Sequence, residues 1–321
     1  NGNRCTLRRF YPVQFWDSML NQFTIDQRVE EIVRILNCSM GIIPQKWSNP
    51  AISLTGGCDS KTTLACTFQH YDQYQYFSYI SQEAEAVDAH GAHDICSELN
   101  LRHSVYSIPE GKAKDQELVQ AIMRVNQGDI GTPNMREVQK RIYLAGLDNI
   151  DVEVKSWVSE IARAYYHKRF SKKRFPARPT ARYLTTLYKV FLNNRRLVKE
   201  TDNIFEKYIA TYLCQDGLKN WSWIDLFFWE FRVGSWNGLV ITGEHRYSFD
   251  ITIPYNNRHL LALMLSIPED MRITDELYWK IRAYANKAVE QAGIQITNLK
   301  HTSNRAKLER VYLEMHSRFP W

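Results

Sequence analysis

The residues best equipped for chemistry lie in Ala51-Ile-Ser-Leu-Thr-Gly-Gly-Cys-Asp-Ser60, which runs on into Lys61-Thr-Thr-Leu-Ala65. Ala51 to Leu54 is short and mostly apolar, as a buried strand requires. Gly56 and Gly57 admit backbone conformations closed to other residues and let a ligand come close. Ser60, Lys61, Thr62 and Thr63 open a helix, where unpaired N–H groups and the helix dipole favour a phosphate. Asp59 sets a carboxylate beside that phosphate, where a Mg²⁺ ion needs an oxygen ligand. The spacing of a Walker A loop, GxxxxGK followed by Ser or Thr, is absent. An ordinary glycine turn accounts for the two glycines, but not for the full order of strand, glycine pair, Asp-Ser and helix.

The flanking elements follow from periodicity. Residues 1–23 read as an irregular arm packing aromatics such as Phe15 and Trp16. Thr24-Ile-Asp-Gln27 resembles a capping box. Ile25, Val29, Ile32, Val33 and Leu36 follow at helical spacing, on a helix expected to pack on the sheet. Tyr74 to Ile80 reads as a second strand. Helix 82–99 offers Ala84, Val87, Ala92, Ile95 and Leu99 for burial, and Ser104 to Ile108 reads as a third strand. Strands alternating with helices predict a parallel α/β sheet, which binds ligands at the carboxyl ends of its strands. Lys112 to Leu144 reads as helix broken at Gly131–Pro133, and a short strand falls between Leu144 and Val154. Tyr183 to Leu218, and Pro254 to the end, read as helical. The aromatics from Trp221 to Trp236 are expected to form the core of that later half. The predicted fold is a parallel twisted sheet with flanking helices followed by a mainly helical C-terminal half. Its divisions are 1–40 (arm and helix), 41–155 (α/β) and 156–321 (helical, on the substrate side), with the last two packed together.

Composition narrows the setting. The chain has 321 residues, 44% of them hydrophobic, enough for a sizeable core. The net charge of +6 is mild, suits an anionic ligand and does not demand nucleic acid. Cys5, Cys38, Cys58, Cys66, Cys96 and Cys214 form no CxxC pair and read as free thiols of a reducing compartment. No apolar run spans a bilayer and no signal peptide is evident, so a cytoplasmic location without membrane attachment is expected. The chain opens on Asn1 rather than Met, which leaves room for residues upstream.

Thr55-Gly-Gly-Cys-Asp-Ser60 resembles the SGGxDS signature of the PP-loop ATP pyrophosphatases (HUP-like folds), with Thr55 for the first serine. Three further stretches resemble the synthetase domain of asparagine synthetase and its relatives. Glu85-Ala-Val-Asp88, with Ala92, Ile95, Leu99 and His103, matches an acidic helix start ending before a His. Lys155-Ser-Trp-Val-Ser-Glu-Ile-Ala-Arg-Ala-Tyr-Tyr166 matches G-x-G-x-D-E-x-x-x-G-Y. Arg232-Val-Gly-Ser-Trp236, Ile253-Pro-Tyr-Asn-Asn-Arg-His-Leu260 and Ser266-Ile-Pro268 match R-x-x-S, V-P-F-x-D-x-x-L and L-P. Together they cover residues 45–285.

The resemblance implies cleavage of ATP between the α- and β-phosphates, adenylation of a small-molecule carboxylate and attack by ammonia or an amine. Gly56, Gly57 and Ser60 would hold the pyrophosphate. Leu54, Thr55, Ser78 and Tyr79 would line the nucleotide, with the strand end Tyr76–Ile80 against adenine. Asp59 and Glu160 would hold Mg²⁺. Arg163 would offer a charge-assisted fork to pyrophosphate, or else form an ordinary helix-surface pair with Glu160. A late lysine would neutralise the transition state, with Lys300 favoured over Lys307. The chain departs from the pattern where Ser159 replaces Asp, and where Ser156 and Arg163 stand at positions usually small or glycine. The family's N-terminal glutaminase domain, with its leading cysteine, is not found within these residues, so glutamine hydrolysis is not expected from them. Ammonia would come free, from an upstream domain or partner, or within the substrate.

Other signals stay open. His90 and His93 permit a metal reading, but read more simply as polar helix-face histidines. The basic run 166–182 is a solvated loop, a lid over phosphates or an anion-attracting patch. Nucleic acid is not the expected partner. A PP-loop tRNA- or sulfur-modifying enzyme, and a non-catalytic nucleotide-binding protein on a decayed synthetase fold, are the competing functions.

Overall fold

The computed structural model describes residues 22–109, 116–126, 135–172, 174–190, 192, 194–213, 221–243, 248–292 and 304–318. Helix α1 (Ile25–Lys46) starts at Thr24, whose Oγ1 accepts from the Gln27 N–H at 3.2 Å. The Gln27 side chain returns the bond to the Thr24 N–H at 2.8 Å, completing the capping box. Pro44 within this helix has no N–H for the Met40 carbonyl, four residues back. The Tyr74 hydroxyl donates to that carbonyl instead, at 2.5 Å, so no buried acceptor is left over.

Strand β1 (Pro50–Ser53) leads to α2 (Cys58–Ala65), β2 (Gln75–Ile80), α3 (Glu83–Glu98) and β3 (His103–Ser107). Then come α4 (Gln116–Asn126), α5 (Met135–Ala145) and β4 (Val152–Val154). The helical half holds α6 (Tyr165–Arg169), α7 (Ala181–Tyr188), α8 (Arg195–Tyr208), α9 (Trp223–Phe228) and α10 (Gly234–Gly243). Strand β5 (Asp250–Thr252) follows, then α11 (Arg258–Leu265), α12 (Glu269–Ile273), α13 (Glu276–Ala285), α14 (Lys287–Gln291) and α15 (Asn304–Arg318).

All pairings are parallel, in the order β3-β2-β1-β4-β5. Ile52 lies opposite Tyr76 on one side and Val154 on the other. Alternation then sends Ile52, Tyr76, Val152 and Val154 to one core, and Ala51 and Phe77 to the opposite face with Leu144, Ile150 and Phe249. The sheet reverses its strand order beside β1, so the glycine loop that follows β1 sits where ligands enter such sheets.

Four expectations change. The sheet does not end near residue 155, because β5 rises from within the region read as helical and pairs with β4. Helix α1 does not pack only on the sheet: Val29 to Leu36 join the core of the helical half, and Met40 and Ile43 the sheet core. Ala84 and Val87 of α3 face solvent, Val87 at 61% exposure, while Ala89, Ala92, Ile95 and Cys96 are buried. Glu85 and Asp88 of this helix face the strand ends, while Ala92, Ile95 and Cys96 pack against the sheet. The aromatic stretch divides too. Trp221, Phe227 and Phe228 are buried, whereas Trp236 is 41% exposed.

No helix among the described residues is long and apolar enough to cross a membrane. Cys38, Cys58, Cys66 and Cys96 are free thiols. Cys5 and Cys214 lie outside the described residues.

Candidate active site

The loop after β1 is held by two hydroxyls. Ser60 Oγ donates to the Thr55 carbonyl at 2.9 Å and accepts from the Thr55 N–H at 3.2 Å. The Thr55 and Ser60 hydroxyl oxygens lie 2.9 Å apart, and Thr55 Oγ1 also accepts from the Gly57 N–H at 3.1 Å. Thr55 and Ser60 thus latch the loop to the start of α2. Gly57 has an ordinary extended backbone (φ −77°), so conformational freedom is not why glycine stands there. Space is the reason, since a Cβ on Gly57 would lie 3.0 Å from Thr55 Oγ1. Gly57 caps α2 without a side-chain acceptor, and the first helical N–H groups stay open toward an anion.

Lys61, though it follows Ser60 directly, points away from this loop. It is 2% exposed and donates to the carbonyls of Glu290 at 3.2 Å and Ala292 at 2.5 Å, at the C-terminal end of α14. Burial lowers its pKa, and the carbonyl end of a helix is a favourable place for its charge.

A cleft of 360 Å³ opens at the carboxyl ends of β1, β2 and β4. Leu54, Thr55, Asp59, Ser60, Ser78, Tyr79 and Glu160 all line it, residues that sequence reasoning had assigned to one site. The size suits small-molecule pockets, ~300–1,000 Å³. Ser78 Oγ, donating to the Leu54 carbonyl at 2.7 Å, ties β2 to the loop, and it lies 2.9 Å from His103 Nε2. Burial holds His103 down to about 4, so it is neutral at pH 7. Ser53, Glu85, Asp88, Lys155, Trp157 and Trp236 line the cleft as well. Sequence reasoning did not place Lys155 or the two tryptophans here. Lys155 alone left a trace, as a charged residue directly after the apolar-flanked Val152-Glu-Val154.

Asp59 anchors the opposite wall. Its Oδ1 accepts from Ser159 Oγ at 2.5 Å and its Oδ2 from Arg163 Nη1 at 2.6 Å. Arg163 turns its other edge to Asp275 through Nε at 2.9 Å and Nη2 at 3.0 Å. Burial opposes the Arg163 charge, but Asp59 and Asp275 outweigh it and raise its pKa. Arg163 therefore sits behind Asp59, outside the cleft lining, and does not pair with Glu160. Glu160 Oε1 accepts instead from Asn237 Nδ2 at 3.0 Å.

The segment Ser159–Arg163 is a single tight 3₁₀ turn between two left-handed residues, Val158 (φ 76°) and Ala164 (φ 48°). These positions, not Ser156 and Arg163, have the glycine-like backbone. Such conformations cost about 1–3 kcal/mol each for a residue with a side chain and collect where a site needs them.

Burial, and secondarily the charge of Asp59, push the Glu160 carboxyl up to about 7. Two carboxylates crowding one wall fit a divalent cation, since Mg²⁺ commonly takes one or two carboxylates together with phosphate oxygens. Asp59 and Glu160 are the residues that would hold it, although Ser159 and Arg163 already occupy part of Asp59. No group of three or more His, Cys, Asp or Glu side chains arranged for a metal occurs among the described residues. His90 and His93 are both exposed, in keeping with polar helix-face histidines.

A pH effect follows from Glu160. The folded protein keeps this proton up to about 7, whereas a Glu carboxyl of the unfolded chain releases it at about 4.5. The folded state then holds more protons between those values, so stability falls as pH rises through that window. Unfolding midpoints of the ligand-free protein are expected to drop between pH 5 and pH 8, and the Glu160→Gln variant to lose that part of the drop. An unchanged pH profile in the variant would show that Glu160 ionises normally.

Lys300, the favoured late lysine, lies outside the described residues, and Lys307 is exposed on α15. Part of the basic run is paired within the molecule. Lys168 meets Asp275, Arg169 meets Glu309, Lys172 meets Glu314 and Arg182 meets Asp202.

These elements define a parallel α/β fold, with the loop after its first strand opening on a cleft at the strand ends, followed by a mainly helical half. No protein-family model matches the chain, and no curated protein sequence matches it. Among solved structures it is similar to a glutamine-dependent NAD⁺ synthetase from Acinetobacter baumannii in complex with ADP, at 13% identity and a TM-score of 0.30. That match covers 59% of this chain, which spans 44% of that protein's chain.

Proposed function

We propose that the chain is an ATP-dependent, AMP-forming C–N ligase that adenylates a small-molecule carboxylate and passes the acyl group to ammonia or an amine. The observation that carries this reading is the cleft itself. The Thr55–Ser60 loop, the open N-terminus of α2 and the Asp59–Glu160 pair all face one space at the strand ends. The open N–H groups at the start of α2 would bind the departing pyrophosphate, where charge develops, with the Thr55–Ser60 hydroxyl latch holding the loop in shape. Ser78 and Tyr79 would border the nucleotide base, leaving Lys155, Trp157 and Trp236 nearest the acyl substrate. Bound Mg²⁺ would neutralise phosphate charge.

The source of the amine, whether free ammonia, a glutaminase domain or partner, or the substrate itself, is part of the same proposal. So is a cytoplasmic setting without nucleic-acid partners, which the internal pairing of part of the basic run supports.

One second reading has a specific observation behind it. Ser159 stands at the Asp-like position and, with Arg163, occupies both oxygens of Asp59, as in a nucleotide-binding protein that has lost turnover. Incubation with ATP–Mg²⁺, ammonia and a panel of carboxylates separates the two. The ligase releases pyrophosphate with at least one carboxylate. A binding protein retains ATP and releases none.

A further inference from the structure

A second cavity, of 580 Å³, lies on the helical half between α7, α8 and α15 and shares no lining residue with the cleft. Its charged lining is Arg182, Arg195, Lys199 and Asp202. Asp202 is already committed. Its Oδ2 accepts from Arg182 Nε at 2.9 Å and Nη2 at 2.6 Å, and its Oδ1 from Thr185 Oγ1 at 2.6 Å. The third nitrogen of that guanidinium, Nη1, is enclosed and has no hydrogen-bond partner among the described residues. An enclosed cationic N–H without an acceptor is costly, and native proteins keep few of them.

Arg195 and Lys199 stand one turn apart on α8 and have no carboxylate partner among the described residues. The α8 N-terminus is not itself the attraction, because Asn194 Oδ1 already accepts from the N–H groups of Arg196 and Leu197. Three cations against one carboxylate leave the cavity two positive charges in excess. The remaining wall is apolar or aromatic: Leu192, Val198 and Tyr312.

We propose that this cavity binds a phosphate monoester carried on an apolar or aromatic body. Such a group brings about −1.5 to −2 charge at pH 7, with acceptor oxygens for Arg195 and Lys199 on the cavity wall and the field of the Arg182 guanidinium behind them. A carboxylate would neutralise half of the excess. Inorganic phosphate would leave the Leu192, Val198 and Tyr312 wall wet. The site is independent of the ATP reading.

Calorimetric titration of the full chain with phenyl phosphate tests the proposal. Saturable binding is expected, about tenfold tighter than benzoate or inorganic phosphate, and weakening below about pH 6 as the phosphate gains its second proton. The double variant Arg195→Gln, Lys199→Gln changes only exposed side chains of α8, so its fold should survive. It is expected to weaken binding about tenfold or more. Ser60→Ala, in the ATP cleft, is expected to leave it unchanged. No binding to the wild type, undiminished binding to the double variant, or loss in Ser60→Ala would each overturn the assignment.

Discussion

Replacing Asp59 with Asn is expected to cut pyrophosphate release roughly a hundredfold or more, the scale on which removal of one preorganised electrostatic partner acts. The fold should tolerate the change. Arg163 keeps its two-pronged contact with Asp275 at 2.9 and 3.0 Å, the new amide oxygen can accept from Arg163 Nη1, and the amide N–H₂ can donate to Ser159 Oγ, which itself donates to the Ser156 carbonyl at 2.8 Å. The unfolding midpoint is thus expected to stay near that of the wild type. One further effect is specific to this geometry. Asp59 is one of the causes that raise Glu160, so its neutralisation should bring the Glu160 pKa down from about 7 toward the ordinary carboxylate range. The pH dependence of stability should flatten in the same variant that loses activity. Full activity in Asp59→Asn would remove this residue from the reaction.

The second large effect concerns Lys155. Its Nζ forms an ion pair with Glu153, which is fully enclosed in the sheet at 0% exposure, while Lys155 is 5% exposed. Lys155→Met removes a paired cation from that enclosed carboxylate. Removing one partner of a buried pair costs about 3–5 kcal/mol, because the survivor keeps its desolvation penalty. Denaturant titration should show that loss at pH 7. Adding Glu153→Gln should restore most of the stability, since a neutral pair no longer carries the penalty.

The restored double variant also isolates the role of Lys155 in the cleft. Its ammonium lies 5.4 Å from the Trp157 ring centroid and 5.8 Å from that of Tyr79. If Lys155 meets the acyl or phosphate group, the refolded double variant should remain slow in pyrophosphate release. Recovery of both stability and rate would confine Lys155 to holding the sheet together.

How much of this was legible depended on whether the signal was local. The Thr55–Ser60 loop, its strand and its helix showed in the sequence because glycine spacing, an apolar run and hydroxyls at a helix start all fall within fifteen residues. The Thr24–Gln27 box was readable for the same reason. Strand β5 was not. It has three residues, Asp250–Thr252, and is a strand only because β4 offers an edge. Three residues hold no periodicity to detect.

Val87 and Trp236 were both read as core and both face outward. An apolar side chain near a ligand cleft has the same sequence signature as one in a core. Arg163 illustrates the third kind of miss. Its type suggested pyrophosphate, but its partners Asp59 and Asp275 are 104 and 112 residues away in sequence. Only the packing of α13 against the Ser159–Arg163 turn decides which anion it meets. The strain at Val158 and Ala164 was equally hidden, since neither residue type announces a left-handed backbone.

The central claim is that the Thr55–Ser60 loop releases pyrophosphate rather than orthophosphate. The most direct measurement is the nucleotide product formed from ATP–Mg²⁺ with ammonia and a carboxylate panel, resolved by chromatography. The cleft geometry predicts AMP and pyrophosphate in equal amounts, dependent on one class of carboxylate and lost in Asp59→Asn. Formation of ADP and orthophosphate, or AMP formation that Asp59→Asn leaves intact, would contradict it.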